Sequence, residues 1–231
     1  MQQAADTFKT FETANEKLPA HELIYRKLRD MVLYGDLTPG QAVTIQGLTA
    51  RLDAGMTPVR EAIRRLTSQG ALEFQGNRRV SVPELNAAAT EELIHAREWL
   101  DPFLTLRATQ NAQADDISAL TAIDTALDIA IRSGDLRGYL ELNHRFHQYL
   151  YAMARAPILA DIAEGLWLRF GPSMRVVCGR IGTQNLPDLH KETIEAIANG
   201  DAEAAAAAIK GDVLQGMEQL HQSLSDNSAA K

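Results

Sequence analysis

The sequence has a single cysteine and no long apolar run, and these two scarcities exclude whole classes of protein. Cys178 stands alone among 231 residues, so the chain cannot form an internal disulfide, which fits a reducing cytoplasm. No apolar run approaches the roughly 18 residues that a membrane-spanning helix requires. The stretch from Met1 to Lys17 is too polar for a secretory signal peptide. We therefore expect a cytoplasmic protein that does not span a membrane.

Positive charge is also scarce, because 23 Lys and Arg residues stand against 30 Asp and Glu and leave a formal net charge of −7. That balance alone argues against nucleic acid binding. The distribution argues otherwise: residues 19–83 carry nine basic and six acidic side chains, whereas residues 84–231 carry 12 and 21. A basic module joined to an acidic one is typical of a protein in which only the first meets phosphate. The length also predicts two modest domains.

One stretch, Thr57 to Leu66, carries the strongest functional signal. Its apolar residues recur at the spacing of one helical face, namely Val59, Ala62, Ile63 and Leu66. Thr57 is expected to cap this helix, and Pro58 suits its first position because the missing N–H has no helical acceptor there. Arg60 and Arg64 lie off the apolar face. A short helix with an apolar back and a basic front fits a DNA major groove, although a solvated surface helix has the same pattern.

The flanking segments decide between these two interpretations. A helix is predicted after Pro19, and Thr44 is expected to cap a second helix before the basic one. After the basic helix, alternating apolar residues surround a turn at Gly76-Asn77, which predicts a β-hairpin with arginines beside its turn. Three short helices and a basic-tipped hairpin predict a winged helix-turn-helix.

The basic module resembles the DNA-binding domain of the GntR family of bacterial transcription regulators. The resemblance rests on three stretches: Thr38-Pro39-Gly40, Thr57-Pro58-Val59-Arg60-Glu61-Ala62-Ile63-Arg64-Arg65-Leu66 and Gly70-Ala71-Leu72. Met56 departs from the family pattern, which usually has arginine there, and Gln46 is nearest to a second position that is often arginine. Since Met56 cannot donate a hydrogen bond to guanine, we expect an altered operator sequence. The resemblance and the basic residues off the apolar face imply DNA contacts from these positions: Gln46, Met56, Thr57, Arg60, Arg64, Asn77, Arg78 and Arg79.

Residues 84–90 are predicted to be a linker, and the rest of the chain has helical periodicity. Six helical segments are expected near 87–111, 115–133, 135–155, 157–180, 187–199 and 202–222. No segment alternates like a strand. The sequence therefore predicts a mainly α protein, in which a winged helix-turn-helix at residues 19–83 precedes an all-α six-helix bundle at residues 91–224. Residues 1–18 and 225–231 are predicted to be flexible tails.

Polar residues interrupt the apolar faces of several of these helices. Arg97, Asn143 and His147 each fall in line with leucines, and His190 and Asp212 fall in line with isoleucine or beside valine. Each of them alone fits an ordinary boundary residue whose hydrogen bonds are satisfied. Together they fit less well, because buried imidazole, carboxylate and guanidinium groups are costly unless they meet one another, a metal or an anion. Asn143 and His147 stand one helical turn apart, which puts two donor atoms on one face, as a metal site needs.

The acidic module resembles the FCD domain, the effector-binding domain of FadR-type GntR regulators. The resemblance rests on three stretches: Glu92 to Pro102, Asn143-His144-Arg145-Phe146-His147 and His190 to Asp201. It implies a divalent metal, zinc, nickel or manganese, held at four positions: Asn143, His147, His190 and Asp212. At two of these positions, asparagine replaces the aspartate and aspartate replaces a histidine of the family pattern. The short linker and the six helical segments resemble the VanR-type subgroup.

The resemblance also implies a ligand, because Arg97 matches the arginine that the family places near the effector carboxylate. We therefore expect a small carboxylate effector.

The resulting hypothesis is a ligand-responsive bacterial transcription regulator, a repressor and not an enzyme. It is expected to bind double-stranded operator DNA as a homodimer, since a two-fold operator needs two recognition helices. Two alternatives stay open: a carboxylate sensor whose metal site has decayed, and a metal-dependent hydrolase in which the cluster activates water. The remaining histidines are expected at the surface: His21, His95, His144 and His221.

Overall fold

The computed structural model describes residues 18–76, 78–181 and 189–229, with side chains described for residues 18–76, 78–179 and 189–224. Two compact units divide the chain, Met1–Glu84 and Leu85–Lys231. Most of the predicted N-terminal tail, and Asn77 of the predicted DNA contacts, lie outside the described residues. In the described part of the chain, no helix is both long enough and apolar enough to cross a membrane.

The first unit is a winged helix-turn-helix, as predicted. Its described elements are α1 (Ala20–Leu33), β1 (Val43–Thr44), α2 (Ile45–Leu52), α3 (Met56–Ser68), β2 (Glu73–Gln75) and β3 (Arg79–Ser81). The predicted hairpin is the antiparallel pair of β2 and β3, in which Phe74 lies opposite Val80. Strand β1, which was not predicted, pairs with β3 and gives the sheet order β1-β3-β2. A strand of two residues is too short to show alternation.

At the junction of α2 and α3, one predicted helix cap is confirmed and the other is wrong. Thr44 caps α2 as predicted, because its Oγ1 accepts the N–H of Gly47 at 2.9 Å. The predicted start of α3 was wrong, since the helix begins at Met56 with Gly55 in the capping position and no side-chain cap in the described structure. The backbone of Gly55 is extended, and the helix begins directly after it, before the predicted cap Thr57. Thr57 therefore lies inside the first turn and does not cap it.

The described part of the second unit contains six helices, as predicted. They are α4 (Ala87–Asn111), α5 (Ala114–Ser133), α6 (Leu136–Met153), α7 (Pro157–Ile181), α8 (His190–Ala198) and α9 (Ala202–Ala229). Asn86 caps α4 by accepting the N–H of Ala89 at 2.8 Å, so this helix begins where the segment near 87–111 was predicted and overlaps the predicted linker, 84–90. The backbone of α9 likewise continues to residue 229, inside the predicted C-terminal tail.

Helix α6 is covered on more than one side. It packs against α4, α5 and α7, while α9 packs against α4, α7 and α8. Phe146 and Leu150 of α6 are fully buried. Because several neighbours cover α6, polar residues on more than one of its faces lie in the core.

Candidate functional site

Three helices bring together, in the core of the second unit, three side chains that could hold a metal ion. His147 lies on α6, His190 is the first residue of α8, and Asp212 lies on α9. One ligand atom from each lies within 4.8 Å of the others. Oδ2 of Asp212 is 3.3 Å from Nε2 of His147 and 3.9 Å from Nε2 of His190. The two imidazoles therefore direct the same ring nitrogen at one carboxylate oxygen.

Neighbouring groups hold these three side chains in place. Oδ1 of Asp212 accepts the backbone N–H of Leu189 at 3.3 Å, immediately before α8. The ring of Phe146 stacks on His190 with ring centroids 3.8 Å apart, and both imidazoles are buried. Burial raises the pKa of Asp212, but attraction to His190 and His147 outweighs it and leaves that pKa below its ordinary value. Asp212 is therefore ionised at neutral pH.

This set of donor atoms fits a divalent metal. Two imidazoles and one carboxylate are ligands that zinc, nickel and manganese accept, and three protein ligands leave a position open for another group. Asn143, predicted as a fourth ligand, lies one turn before His147 on α6 and is half-buried. Its amide oxygen is the atom that it offers to a metal.

Arg97 belongs to a second buried network, which the sequence analysis did not predict. Its guanidinium donates from Nη2 to Oδ1 of Asp101 at 2.9 Å and from Nε to Oδ2 at 3.3 Å. The Tyr151 hydroxyl donates to Asp101, and the Trp167 indole N–H donates to the Tyr151 oxygen at 3.1 Å. Oδ1 of Asp101 is also 3.6 Å from Nδ1 of His147. One carboxylate therefore joins Arg97 to the cluster of His147, His190 and Asp212.

The charges in this network stabilise one another. Burial raises the pKa of Asp101, but the Arg97 guanidinium and His147 outweigh it and hold that pKa well below its usual range. Burial lowers the pKa of Arg97, but Asp101 and Tyr151 together outweigh it and raise that pKa. Burial and the charge of Asp101 also raise the pKa of Tyr151 well above its ordinary value. At neutral pH the network therefore contains an ionised Arg97–Asp101 pair beside a neutral phenol.

A second aspartate lies behind the other imidazole of the cluster. Oδ1 of Asp124, on α5, is 3.6 Å from Nδ1 of His190. Neither Asp101 nor Asp124 was among the predicted site residues. A signal existed for Asp101, because it stands four residues after Arg97 on one helix, a spacing that favours an ion pair. No comparable signal links Asp124 to His190, because their contact is between two helices.

The prediction that His144 lies at the surface was wrong. His144 is buried, and its Nε2 is 3.0 Å from Oε2 of Glu164 on α7. Its ring meets Trp167 edge-on, with centroids 4.9 Å apart. Helix α7 covers this face of α6, so the polar ring lies in the core. Of the other three histidines expected at the surface, His21 and His95 are exposed and His221 is half-buried.

The first unit presents the predicted DNA-contact residues at its surface. The apolar face of α3 is buried, as predicted: Val59, Ala62, Ile63 and Leu66. The described candidates for DNA contact are all exposed: Gln46, Met56, Thr57, Arg60, Arg64, Arg78 and Arg79. Arg65 is engaged elsewhere, since it donates to Glu22 of α1 at 2.8 Å and lies 3.5 Å from the centroid of the Tyr25 ring. The free basic front of α3 therefore consists of Arg60 and Arg64.

Two known protein families match the chain, one in each of its two units. The gntR family of bacterial regulatory proteins matches residues 20–82, and the FCD domain matches residues 92–214, more than half of the chain. The chain belongs to the gntR family, with an FCD domain. It is a DNA-binding transcriptional regulator of the FadR subfamily. The buried His147, His190 and Asp212 cluster lies within its FCD domain.

The relatives of this gntR-family chain are transcriptional regulators. HTH-type transcriptional regulator McbR of Escherichia coli (strain K12) is 29% identical over 159 residues, which are 69% of this chain and 72% of McbR. HTH-type transcriptional repressor RspR of the same strain is 26% identical over 158 residues, 68% of this chain and 69% of RspR. The solved structure of E. coli McbR/YncC matches with a TM-score of 0.84 at 25% identity, covering 89% of this chain and 99% of that one. These relatives are transcriptional regulators and not enzymes, so they give the hydrolase alternative no support.

Proposed function

We propose that this regulator is a repressor that responds to a small carboxylate bound together with a divalent metal in its FCD domain. The observation that supports the proposal is the buried cluster of His147, His190 and Asp212 beside the Arg97–Asp101 pair. A cation satisfies two imidazoles and a carboxylate in an apolar core, and Arg97 recognises an anion.

In the proposed metal site, His147, His190 and Asp212 bind the ion and Asn143 offers its amide oxygen as a fourth ligand. When bound, the metal supplies a positive centre that attracts the carboxylate of the effector. The stacking of Phe146 on His190 holds one ligand in place before the ion arrives. The mixture of nitrogen and oxygen donors suits zinc, nickel or manganese.

The proposed effector contact is Arg97. Its guanidinium carbon lies 4.8 Å from the ring centroid of Trp167 and 4.4 Å from that of Phe170, so aromatic faces hold it in place. The hydrogen bonds to Asp101 use two of the five guanidinium N–H groups. A carboxylate effector either shares the guanidinium with Asp101 or displaces that side chain. Because Asp101 also faces His147, either event reaches the metal cluster.

Helix α4 supplies a route from this site towards the DNA-binding unit. Arg97 and Asp101 lie on α4, which begins directly after the linker residue Asn86. A change in how this helix is held therefore acts on the segment that leads to the first unit. In a homodimer whose recognition helices stand roughly 34 Å apart on a two-fold operator, such a change alters operator affinity.

The proposed DNA contacts are the exposed residues of α2, of α3 and of the wing formed by β2 and β3. Arg60 and Arg64 on α3 suit base edges in the major groove, and Arg78 and Arg79 suit phosphates. Met56, 42% exposed, presents a thioether where the family pattern has arginine. The relative RspR is named a repressor, which supports repression as the direction of control.

One observation favours a carboxylate sensor without metal as a second candidate. Asp212 accepts the N–H of Leu189 and lies 3.3 Å from Nε2 of His147. The cluster therefore meets part of its hydrogen-bonding requirement from its own members.

The proposal is tested by measuring operator binding with and without metal. The metal content of gently purified protein is measured first, and then the affinity for DNA from its own promoter region across a panel of small carboxylates. We expect bound metal, and one carboxylate that changes the affinity of wild type but not of His147→Ala. A metal-free protein that cannot be reconstituted and still responds to a carboxylate supports the second candidate. No response with or without metal contradicts both.

A further inference from the structure

Two buried aspartates lie behind the imidazoles of the metal cluster. Oδ1 of Asp101 is 3.6 Å from Nδ1 of His147, and Oδ1 of Asp124 is 3.6 Å from Nδ1 of His190. Asp101 is 0% exposed and Asp124 is 4% exposed. The aspartates belong to different helices, α4 and α5, and neither is in the predicted ligand set. The same arrangement therefore occurs twice, built from independent elements.

Both imidazoles have the same orientation between two carboxylates. In each ring, Nε2 faces Asp212 and Nδ1 faces the aspartate behind it. A neutral imidazole carries one N–H, and a carboxylate beside one ring nitrogen favours the proton on that nitrogen and leaves the other nitrogen for a metal. A carboxylate behind Nδ1 favours the proton there and leaves the lone pair of Nε2 directed at the cluster. Asp212 competes for that proton only until it binds the metal.

We propose that Asp101 and Asp124 are positioning residues, which hold His147 and His190 with the proton on Nδ1 and so strengthen metal binding through Nε2. The inference rests on the proposed metal site and adds to it two residues that do not touch the ion. Carboxylates behind metal-binding histidines fix the ring orientation and make the imidazole a stronger ligand. A role in folding alone, by contrast, predicts no effect on metal affinity in the folded protein.

The other contacts of the two aspartates make Asp124 the better site for a test. Asp101 is bound by Arg97 and Tyr151, so replacing it also leaves a buried guanidinium without its counter-charge. Asp124 faces His190 and forms no ion pair with lysine or arginine in the described structure. Replacement of Asp124 by asparagine keeps its shape and removes its charge.

Asp128 supplies a matched control on the same helix. It lies one turn after Asp124 and contacts the same neighbouring helix, because its Oδ1 is 3.0 Å from Nζ of Lys191. This ion pair lies at the surface, where the lysine side chain is 60% exposed. Asp128→Asn therefore removes an α5–α8 contact without touching the cluster.

The experiment compares full-length wild type, Asp124→Asn and Asp128→Asn by competition with a chromophoric chelator for Zn²⁺. We expect Asp124→Asn to bind zinc about 10- to 100-fold more weakly. We expect Asp128→Asn to stay within about two-fold of wild type, since exposed ion pairs contribute little. The free energy of unfolding of each metal-free protein is measured alongside. A lower unfolding free energy with unchanged zinc affinity overturns the inference.

Nitrogen-15 NMR of the histidine rings gives a second readout that needs no variant to fold. In zinc-loaded wild type, we expect His147 and His190 to carry the proton on Nδ1 and to bind zinc through Nε2. Binding through Nδ1 overturns this inference and leaves the metal site standing. A wild type that binds no zinc, nickel or manganese overturns the metal site and this inference together.

Discussion

At the scale of single residues, Arg97 and Asp101 form an ion pair that depends on both members. Their side chains are only 5% and 1% exposed and stand one turn apart on α4. Removing both charges from water is costly, and the two-point hydrogen bonding with the added bond from Tyr151 offsets that cost. The loss of one member leaves the other buried and charged.

Replacing Arg97 with alanine should therefore destabilise the FCD domain as well as weaken effector binding. The expected loss in unfolding free energy is about 3–5 kcal/mol, the usual effect of breaking a buried pair. Lys210→Ala is the control, because Lys210 of α9 forms a surface ion pair with Glu98 of α4, and exposed ion pairs contribute little to stability. Urea unfolding followed by circular dichroism measures both. Equal losses in the two variants would show that the buried pair has no special role.

Cys178 lies buried in α7, and burial raises the pKa of its thiol to about 12. Because the thiolate is the reactive form, the folded protein should resist alkylation at pH 9 and react quickly in urea. The folded state also keeps this proton when the unfolded chain loses it, so stability should fall as the pH rises from about 9 towards 12. Iodoacetamide labelling followed by mass spectrometry measures the first effect. Rapid labelling without urea would contradict the buried position.

At the scale of elements, two arginines of helix α3 have different surroundings. Arg60 is exposed on the side away from the buried apolar face. Arg65 donates to Glu22 and stacks on Tyr25, which ties α3 to α1. Burial raises the pKa of Glu22, but the combined effects of Arg65 and Arg26 outweigh it and lower that pKa, so this ion pair is charged at neutral pH.

Arg60→Ala and Arg65→Ala should therefore behave differently although both remove an arginine from α3. Arg60→Ala should weaken operator binding by about 1–3 kcal/mol per recognition helix and relax the base preference at one position. Arg65→Ala should cost at most about 1 kcal/mol of stability and keep the base preference. Selection from a random DNA pool, followed by gel-shift titration, compares them. An unchanged consensus for Arg60→Ala would show that Arg60 does not contact a base.

At the scale of the whole molecule, charge is divided between the two units. Residues 19–83 carry a net charge of +3 and residues 84–231 one of −9, although the chain as a whole is acidic. The wing adds exposed Arg78 and Arg79 to the basic unit. Since phosphate contacts release counterions, this division should appear in the salt dependence of DNA binding.

Arg78→Ala should weaken binding to all DNA sequences alike. The slope of log affinity against log salt concentration should become shallower by about 1 for each wing in the complex. Arg132→Ala is the control, because Arg132 is an exposed arginine of the acidic unit and should leave the slope unchanged. Fluorescence anisotropy at several salt concentrations measures both slopes. Identical slopes in wild type and Arg78→Ala would exclude a phosphate contact by this residue.

The sequence by itself determined the identity and order of nearly every element, because the signals for helices are local. Apolar periodicity, capping residues and glycine breaks act over a few neighbours, and Gly134 ends α5 in the left-handed conformation where the break was predicted. Membership of the apolar face also made His147, His190 and Asp212 recognisable as core residues. The start of α3 escaped prediction because Thr57 and Gly55 are both acceptable capping residues.

Only the tertiary structure decided which polar side chains meet. The periodicity of α6 shows one apolar face, yet His144 is buried on another because α7 covers it with Glu164 and Trp167. The contact of Asp124 with His190 joins α5 to α8 and leaves no trace in the pattern of either helix. A sequence shows which side of a helix avoids water. It does not show which neighbour covers that side, because this depends on how separate helices pack together.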